Sequence, residues 1–382
     1  MTEFTIERLE VPLSLDMDAP QHSVVRDFVD SVEVRNASEV RAYGTPEVAY
    51  PAVELLPNWL DPHEPKVLWV ARLDGRIAAR AVHESQLDSA ADIGWIDIDV
   101  HPDAERRGIG RALADLVEGH ARSLGQSRLI CYAVSPPLLP PLPAGSTPPG
   151  SATPPGPGSA SGWLVPPTGF GGVPTSNREV RFLLARGYRL EQVERASRFA
   201  LPGDAAHLAT LRSAAEAAAG PDYRVHLWAG ATPPEWLADL ATLLTRMSTD
   251  APTAGLDEPE DVWTPERVAA HDARSGSGAR QTLTAAVEHL PTGRLAAFSQ
   301  LSVPLDRSRP VSQDDTLVLS DHRGHRLGML VKVANLELLA RVAPGHPSVL
   351  TWNAEENRHM LSVNEAVGFT AIGYEGAWRL DF

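Results

Sequence analysis

The chain has 382 residues, a formal net charge of −15, 43% apolar residues and 22% charged ones; that length fits two domains of roughly 100–200 residues each, and the charge disfavours broad nucleic-acid or anionic-membrane binding, which needs a basic surface. No apolar run reaches the roughly 18 residues of a membrane span, and the opening MTEFTIERLE lacks the basic start and apolar core of a signal peptide. The single cysteine, Cys131, permits no internal disulfide and reads as a small buried hydrophobe, so a cytoplasmic protein is expected.

Alternation of apolar and polar residues predicts strands over 67–72 and 76–83, around the Asp74-Gly75 turn, and over 93–100. A helix follows over 108–124, with Ile109, Leu113, Leu116 and Val117 on one face and Gly125 as its stop. A strand is expected over 128–134. The next stretch, 135–174, holds more than a third of the chain's 33 prolines and no charged residue, which excludes helix and sheet. It reads as an insertion, because a helix capped at Ser176-Asn177 and running to Arg186, then a strand over 189–201, complete the unit before it.

The second half repeats the order. It predicts a strand over 223–229, helices over 234–249 and 265–274, and strands over 281–289 and 294–303. A short strand over 316–320, a helix over 327–341, a strand over 349–353, a helix over 357–367 and a closing strand over 370–382 follow. The chain therefore reads as two copies of one mixed α/β (α+β) unit, 1–205 and 221–382, with the boundary in 202–221.

The junction VHPDAERRGIGRAL sits between a strand and a helix. A helix N-terminus leaves about four N–H groups unpaired and carries roughly half a positive charge. Glycines let an anion come close, and arginines add charge-assisted hydrogen bonds. Arg107, Gly108, Ile109, Gly110 and Arg111 thus suit a pyrophosphate; a tight turn with solvated arginines is the alternative. No GxxxxGK[ST] is present. Leu113 stands where a dinucleotide fingerprint has its third Gly or Ala.

This stretch resembles motif A of the GNAT acetyltransferase superfamily, Q/R-x-x-G-x-G/A. LSDHRGHRLGMLVKVANLELL resembles it again, with Arg323 at the first motif position and Gly328 at the last. NREVRFLLARGY and NRHMLSVNEAVGF are similar to the family's helix after the fifth strand, which ends at a G-F/Y pair. The resemblance covers nearly the whole chain. It extends to tandem members, the actinobacterial type with an HRGHRLG motif and the mycothiol-synthase-like two-domain arrangement.

The resemblance implies two tandem GNAT-like acyl-CoA N-acyltransferase domains with acetyl-CoA as cosubstrate. The implied acceptor is an amine of a small molecule or peptide, cationic ones included, and the C-terminal copy is favoured as the active one. The pyrophosphate would be held by residues 107–111 with the strand-end Val100, and by Arg323, Gly324, His325, Arg326, Leu327, Gly328 and Met329 with Leu319. Asn353 and Asn357 would meet the pantetheine arm, although Asn357 equally suits a helix cap. The arm would enter between the fourth and fifth strands. Asp97 and Asp99, alternating with Ile96, Ile98 and Val100, are then candidate bases or the wall of an acidic cleft. Asp314 and Asp315 read as residues at a strand start, and Glu288 and His289 as weak acceptor-site candidates.

Some positions depart from the family pattern. Glu105 fills the first motif position of the first copy. Arg326 replaces the middle glycine of the second, which implies a backbone there that avoids a glycine-only conformation. Leu183 and Asn364 stand where many members have a tyrosine acid; Tyr374 is the nearest substitute, or a half-buried strand residue. No histidine or cysteine spacing suits a metal. The competing reading is a catalytically degenerate acyl-CoA-binding or scaffold protein.

Overall fold

Neither half of the protein is a continuous piece of chain. The computed structural model describes residues 3–16, 22–86, 92–135, 162–250 and 252–382. Unit 1 comprises Met1–Glu194, Thr253–Glu258 and Gly373–Phe382; unit 2 comprises Arg195–Pro252 and Pro259–Ile372.

Unit 1 runs β1 (Phe4–Leu9), α1 (His22–Tyr43), α2 (Ala52–Trp59), β2 (Lys66–Leu73), β3 (Arg76–Glu84), β4 (Ile93–Val100), α3 (Ile109–Ser123) and β5 (Arg128–Ser135). The two-residue strands β6 (Trp163–Leu164) and β7 (Val173–Pro174), then α4 (Arg178–Ala185) and the first half of β8 (Arg189–Ala200), complete its N-terminal part. The β2–β3 hairpin turns through Asp74 and Gly75, both left-handed, as the strand twist requires. β1 to β4 are antiparallel neighbours, β4 and β5 are parallel, and β5 pairs with the chain's last strand from Tyr374↔Ser135 to Asp381↔Arg128. On one sheet face Ile109, Leu113, Val117 and Ala121, at helical spacing on α3, pack on Ala81, Ile96, Leu129 and Trp378. On the other, α1 buries Phe28 and Val32 against Leu68 and Val82.

Unit 2 takes the second half of β8, then α5 (Ala205–Ala219), β9 (Tyr223–Ala229), α6 (Leu237–Asp250), α7 (Pro265–Ser277), β10 (Arg280–His289) and β11 (Arg294–Pro304). It continues with β12 (Val311–Val318), α8 (Leu327–Val342), β13 (Ser348–Ala354), α9 (Arg358–Val367) and the first residues of β14 (Thr370–Asp381). α8 packs Leu330, Val331 and Ala334 on Ala285 and Ala297, while α6 packs Leu240 and Leu243 on Phe298.

Several features differ from the sequence reading. The expected units 1–205 and 221–382 follow chain order, whereas Gly373–Phe382 and Thr253–Glu258 pack in unit 1. The stretch 202–221 is not a plain connection. It carries α5, started by Asp204, whose carboxylate accepts from the N–H groups of Ala206 and His207, and it buries Leu208, Ala215 and Ala219. The strand expected over 316–320 is β12, which begins at Val311, so Asp314 and Asp315 lie in mid-strand. The cause is a bulge: Ser299 faces Thr316 but Leu301 faces Gln313, so both aspartates stand opposite Gln300 alone. Residues 136–161, most of the expected insertion, lie outside the described residues.

Candidate active site

β4 and β5 pair only at Ile93↔Arg128, Gly94↔Leu129 and Trp95↔Ile130. Beyond Trp95 they part, and a cleft of about 540 Å³ opens. The side toward α3 is lined by Gly108, Gly110, Arg111 and Ala114, with Arg178, Phe182 and Tyr188 across from them. The side toward α1 is lined by Glu39, Asp97, Asp99 and Tyr132.

The loop from β4 into α3 turns through two left-handed residues, Arg106 (φ 61°) and Gly108 (φ 84°). Gly108 caps α3 without a side chain, so the first N–H groups of the helix stay available to an anion. A Cβ on Gly110 would lie 3.4 Å from Val100 Cγ2, which places the strand end directly under the loop. Glu105 is ion-paired with both Arg41 and Arg178, which cancels the acidic residue in the motif. Arg107 donates to the Asp103 carbonyl at 3.5 Å, while Arg106 and Arg111 line the cleft.

The carboxylates differ in their partners. Asp99 is 3% exposed and accepts from Arg80 Nε at 2.8 Å; Arg80 Nη2 reaches Asp97 at 3.1 Å. Burial, with Asp97 beside it, raises the Asp99 carboxyl to about 7 against the pull of Arg80. The Asp97 side chain is 49% exposed and faces the cleft. Glu39 of α1 is half-buried. Burial pushes its carboxyl up to about 8, with Asp99, Glu375 and Asp97 adding repulsion and Arg35 opposing it. One turn on, Tyr43 donates to Glu375, and a Cβ on Gly373 would lie 2.8 Å from the Tyr43 ring. Burial and the carboxylates of Glu194, Glu258 and Glu375 hold the Tyr132 phenol well above the usual tyrosine range. Tyr188, by contrast, donates to Glu118 at 3.3 Å. Burial raises the Cys131 thiol, and Cys131 sits in the core, as its sequence context implies.

Glu39 is absent from the sequence reading, which identifies no element before residue 67. Its signal lies in the stripe Val25, Phe28, Val32, Asn36, Glu39, Tyr43, spaced three and four apart. A carboxylate on an otherwise core-facing stripe marks a polar cavity under the helix.

Unit 2 repeats the framework with other side chains. β12 and β13 pair at Val311↔Val349 and Ser312↔Leu350 and then part. The loop into α8 turns through Gly324 (φ 86°) and Arg326 (φ 54°), and a Cβ on Gly328 would lie 3.6 Å from Val318. Arg326 thus adopts the left-handed conformation it was expected to avoid, because it occupies the cap position of α8, where the turn demands it.

The remaining sequence-predicted residues of unit 2 have these partners. Leu319 donates to the Ala296 carbonyl at 3.0 Å, and Leu327 and Gly328 are buried in the first turn of α8, ahead of the half-buried Met329. His325 lies 5.3 Å from the Tyr223 ring, and Arg323 bonds Asp250 at 2.9 Å. Asn353 accepts from Asn364 Nδ2 at 2.6 Å, and Asn357 caps α9 by accepting from the Met360 N–H. Glu288 bonds His226 at 2.8 Å, and His289 bonds Thr292. Tyr374 does not serve the second copy: by that residue β14 has entered unit 1, where Tyr374 pairs with Ser135 and packs on the core. No group of three or more His, Cys, Asp or Glu among the described residues is placed to hold a metal ion.

Residues 33–139 match the acetyltransferase (GNAT) family. Members of that family take an acetyl group from acetyl-CoA. The GNAT match spans Glu39, Asp97, Asp99 and the loop at Gly108 and Gly110. The fold of the whole chain is that of a tandem GNAT protein from the clavulanic acid biosynthesis pathway, at 23% identity over 99% of this chain and 98% of that one, with a TM-score of 0.68. A GCN5-related N-acetyltransferase from Sphaerobacter thermophilus shares it at 14% identity, over 99% and 95% of the two chains, with a TM-score of 0.56. So does a putative acetyltransferase from Pyrococcus horikoshii, at 11% identity over 99% and 89%, with a TM-score of 0.51. No curated protein matches the chain significantly. No helix among the described residues is long and apolar enough to cross a membrane.

Proposed function

We propose that unit 1 is an N-acetyltransferase that moves the acetyl group of acetyl-CoA to an amine. The observation that carries this is the single cleft joining the N-terminus of α3, the gap between β4 and β5, and the carboxylates Glu39, Asp97 and Asp99. The pyrophosphate rests on the first N–H groups of α3, with Arg106 and Arg111 beside it. The pantetheine arm lies in the gap, and the amine arrives from the acidic side. Glu39, ionised above about pH 8, takes the amine's proton as the C–N bond forms. Asp99 and Arg80 hold the acidic wall in place, and Asp97 attracts a cationic acceptor. The C–S bond then breaks, and Tyr132, the cleft phenol whose hydroxyl is not tied to Glu118, protonates the thiolate.

The resemblance favours the second copy, but the acidic wall and the GNAT match favour the first. Unit 2 keeps the HRGHRLG loop, which supports a mycothiol-synthase-like two-domain layout. The test is thiol release from acetyl-CoA with a panel of primary amines and basic peptides. Turnover above the acceptor-free rate by the wild type, lost in Gly110→Trp, is the expected result. Coenzyme binding without turnover on any amine would establish the degenerate, scaffold reading instead.

A further inference from the structure

Helix α8 buries nearly its whole circumference, and two of its buried residues are polar. The sheet meets the amide nitrogen of Asn335: its Nδ2 donates to the carbonyls of Leu283 at 3.0 Å and Ser299 at 2.8 Å, while its buried Oδ1 has no hydrogen-bond partner among the described residues. Lys332 is 1% exposed and is met by no carboxylate among the described residues; its Nζ faces the Phe369 ring, 5.6 Å from the centroid. A buried amine without a counter-charge is costly, and a surface helix position would avoid the cost.

The two copies match in residue spacing around this side chain. Gly110 sits on Val100 as Gly328 sits on Val318, at 3.4 and 3.6 Å from their Cβ positions. Ala114 is four residues past Gly110, and Lys332 four past Gly328. Tyr188 follows the glycine that ends α4, and Phe369 follows the one that ends α9. In unit 1 both Ala114 and Tyr188 line the cleft. Lys332, reaching from the Ala114 position toward the Tyr188 position, therefore lies across the corresponding groove of unit 2. Its desolvated amine, with a pKa lowered to about 7, fits such a dry place.

We propose that Lys332 is a plug: it fills the arm groove of unit 2 that Ala114 leaves open in unit 1, so that the chain takes up one acyl-CoA and not two. This rests on the reading of unit 1 as the donor-binding copy. Calorimetric titration of coenzyme A tests it. Wild type is expected to bind one equivalent and Gly110→Trp none. Gly110→Trp with Lys332→Ala, or with Lys332→Val, should regain one equivalent. Gly110→Trp with Lys332→Met, which keeps the length of the side chain, should not. Circular dichroism melts establish that each variant is folded. One equivalent bound by Gly110→Trp alone, or no second site in folded Lys332→Ala and Lys332→Val, would overturn the proposal. Absence of binding to wild type would refute the donor-site reading of unit 1, while a site gained in Lys332→Ala would still identify the plug.

Discussion

The two phosphate-type loops share a backbone and exchange their residues. In unit 1 the first left-handed position is Arg106 and the second Gly108; in unit 2 the first is Gly324 and the second Arg326. Each loop has one glycine where two would relieve strain, and each places it at the opposite position. The turn is therefore held by what surrounds it, the strand end below and the helix cap above, rather than by a fixed glycine pattern. One turn into the helix the copies diverge in substance: Ala114 leaves space and Lys332 fills it. Along the strand they diverge again. Asp97 and Asp99 are organised by Arg80, whereas Asp314 and Asp315 ride a bulge. The left-handed turn ahead of the helix is present in both copies, and a cleft with a wall of carboxylates lies beside the loop of unit 1.

Disrupting the better-equipped loop should have the largest effect. Gly110→Trp drives an indole into the position proposed for the pyrophosphate above Val100, and kcat/KM should fall more than about 100-fold, as read by thiol release. Next comes the acidic wall. Glu39→Gln should lower kcat/KM about 100-fold. Because the base works only when ionised, the wild-type profile should rise with pH through about 8, and that limb should vanish in the variant. An unchanged limb would assign it to the amine substrate.

The plug offers a stability measurement. Lys332 is held near 7 in the fold against 10.5 when free. Below pH 7 both states carry the proton and the full cost of burying it is present; the cost disappears as pH rises from 7 to 10.5. Lys332→Met should therefore stabilise the protein by on the order of 2–4 kcal/mol at neutral pH in urea melts, and the gap should close toward pH 10.5. The smallest expected effect is at the loop itself: Arg326→Gly relieves a left-handed side chain and should add less than about 1 kcal/mol, since glycine also loosens the unfolded chain.

Much of this was legible in the residues. The alternating IGWIDIDV predicts β4 with the observed limits, and the Asn177 and Asn357 caps mark both terminal helices. Gly108 and Gly110 mark the loop, and Asp97 and Asp99 the wall. What escaped shares a physical reason. α5, AAHLATLRSAAEAAA, buries few residues, so it presents no sharp apolar stripe. Glu39 is legible only once α1 is known to face a cavity. The partner of β14 is not encoded in its own alternation, because TAIGYEGAWRLD suits either sheet equally; only the assembled chain decides it.

That last strand bears on how the molecule is made. Residues 373–382 supply the antiparallel neighbour of β5, beside the cleft that β5 walls. A ribosome releases β5 well before residues 373–382, so this sheet stays unfinished until the intervening residues of unit 2 have been made. The two copies are thus not modules that can be cut apart at residue 205. A fragment ending there would expose an unpaired β5 edge, which is a template for aggregation.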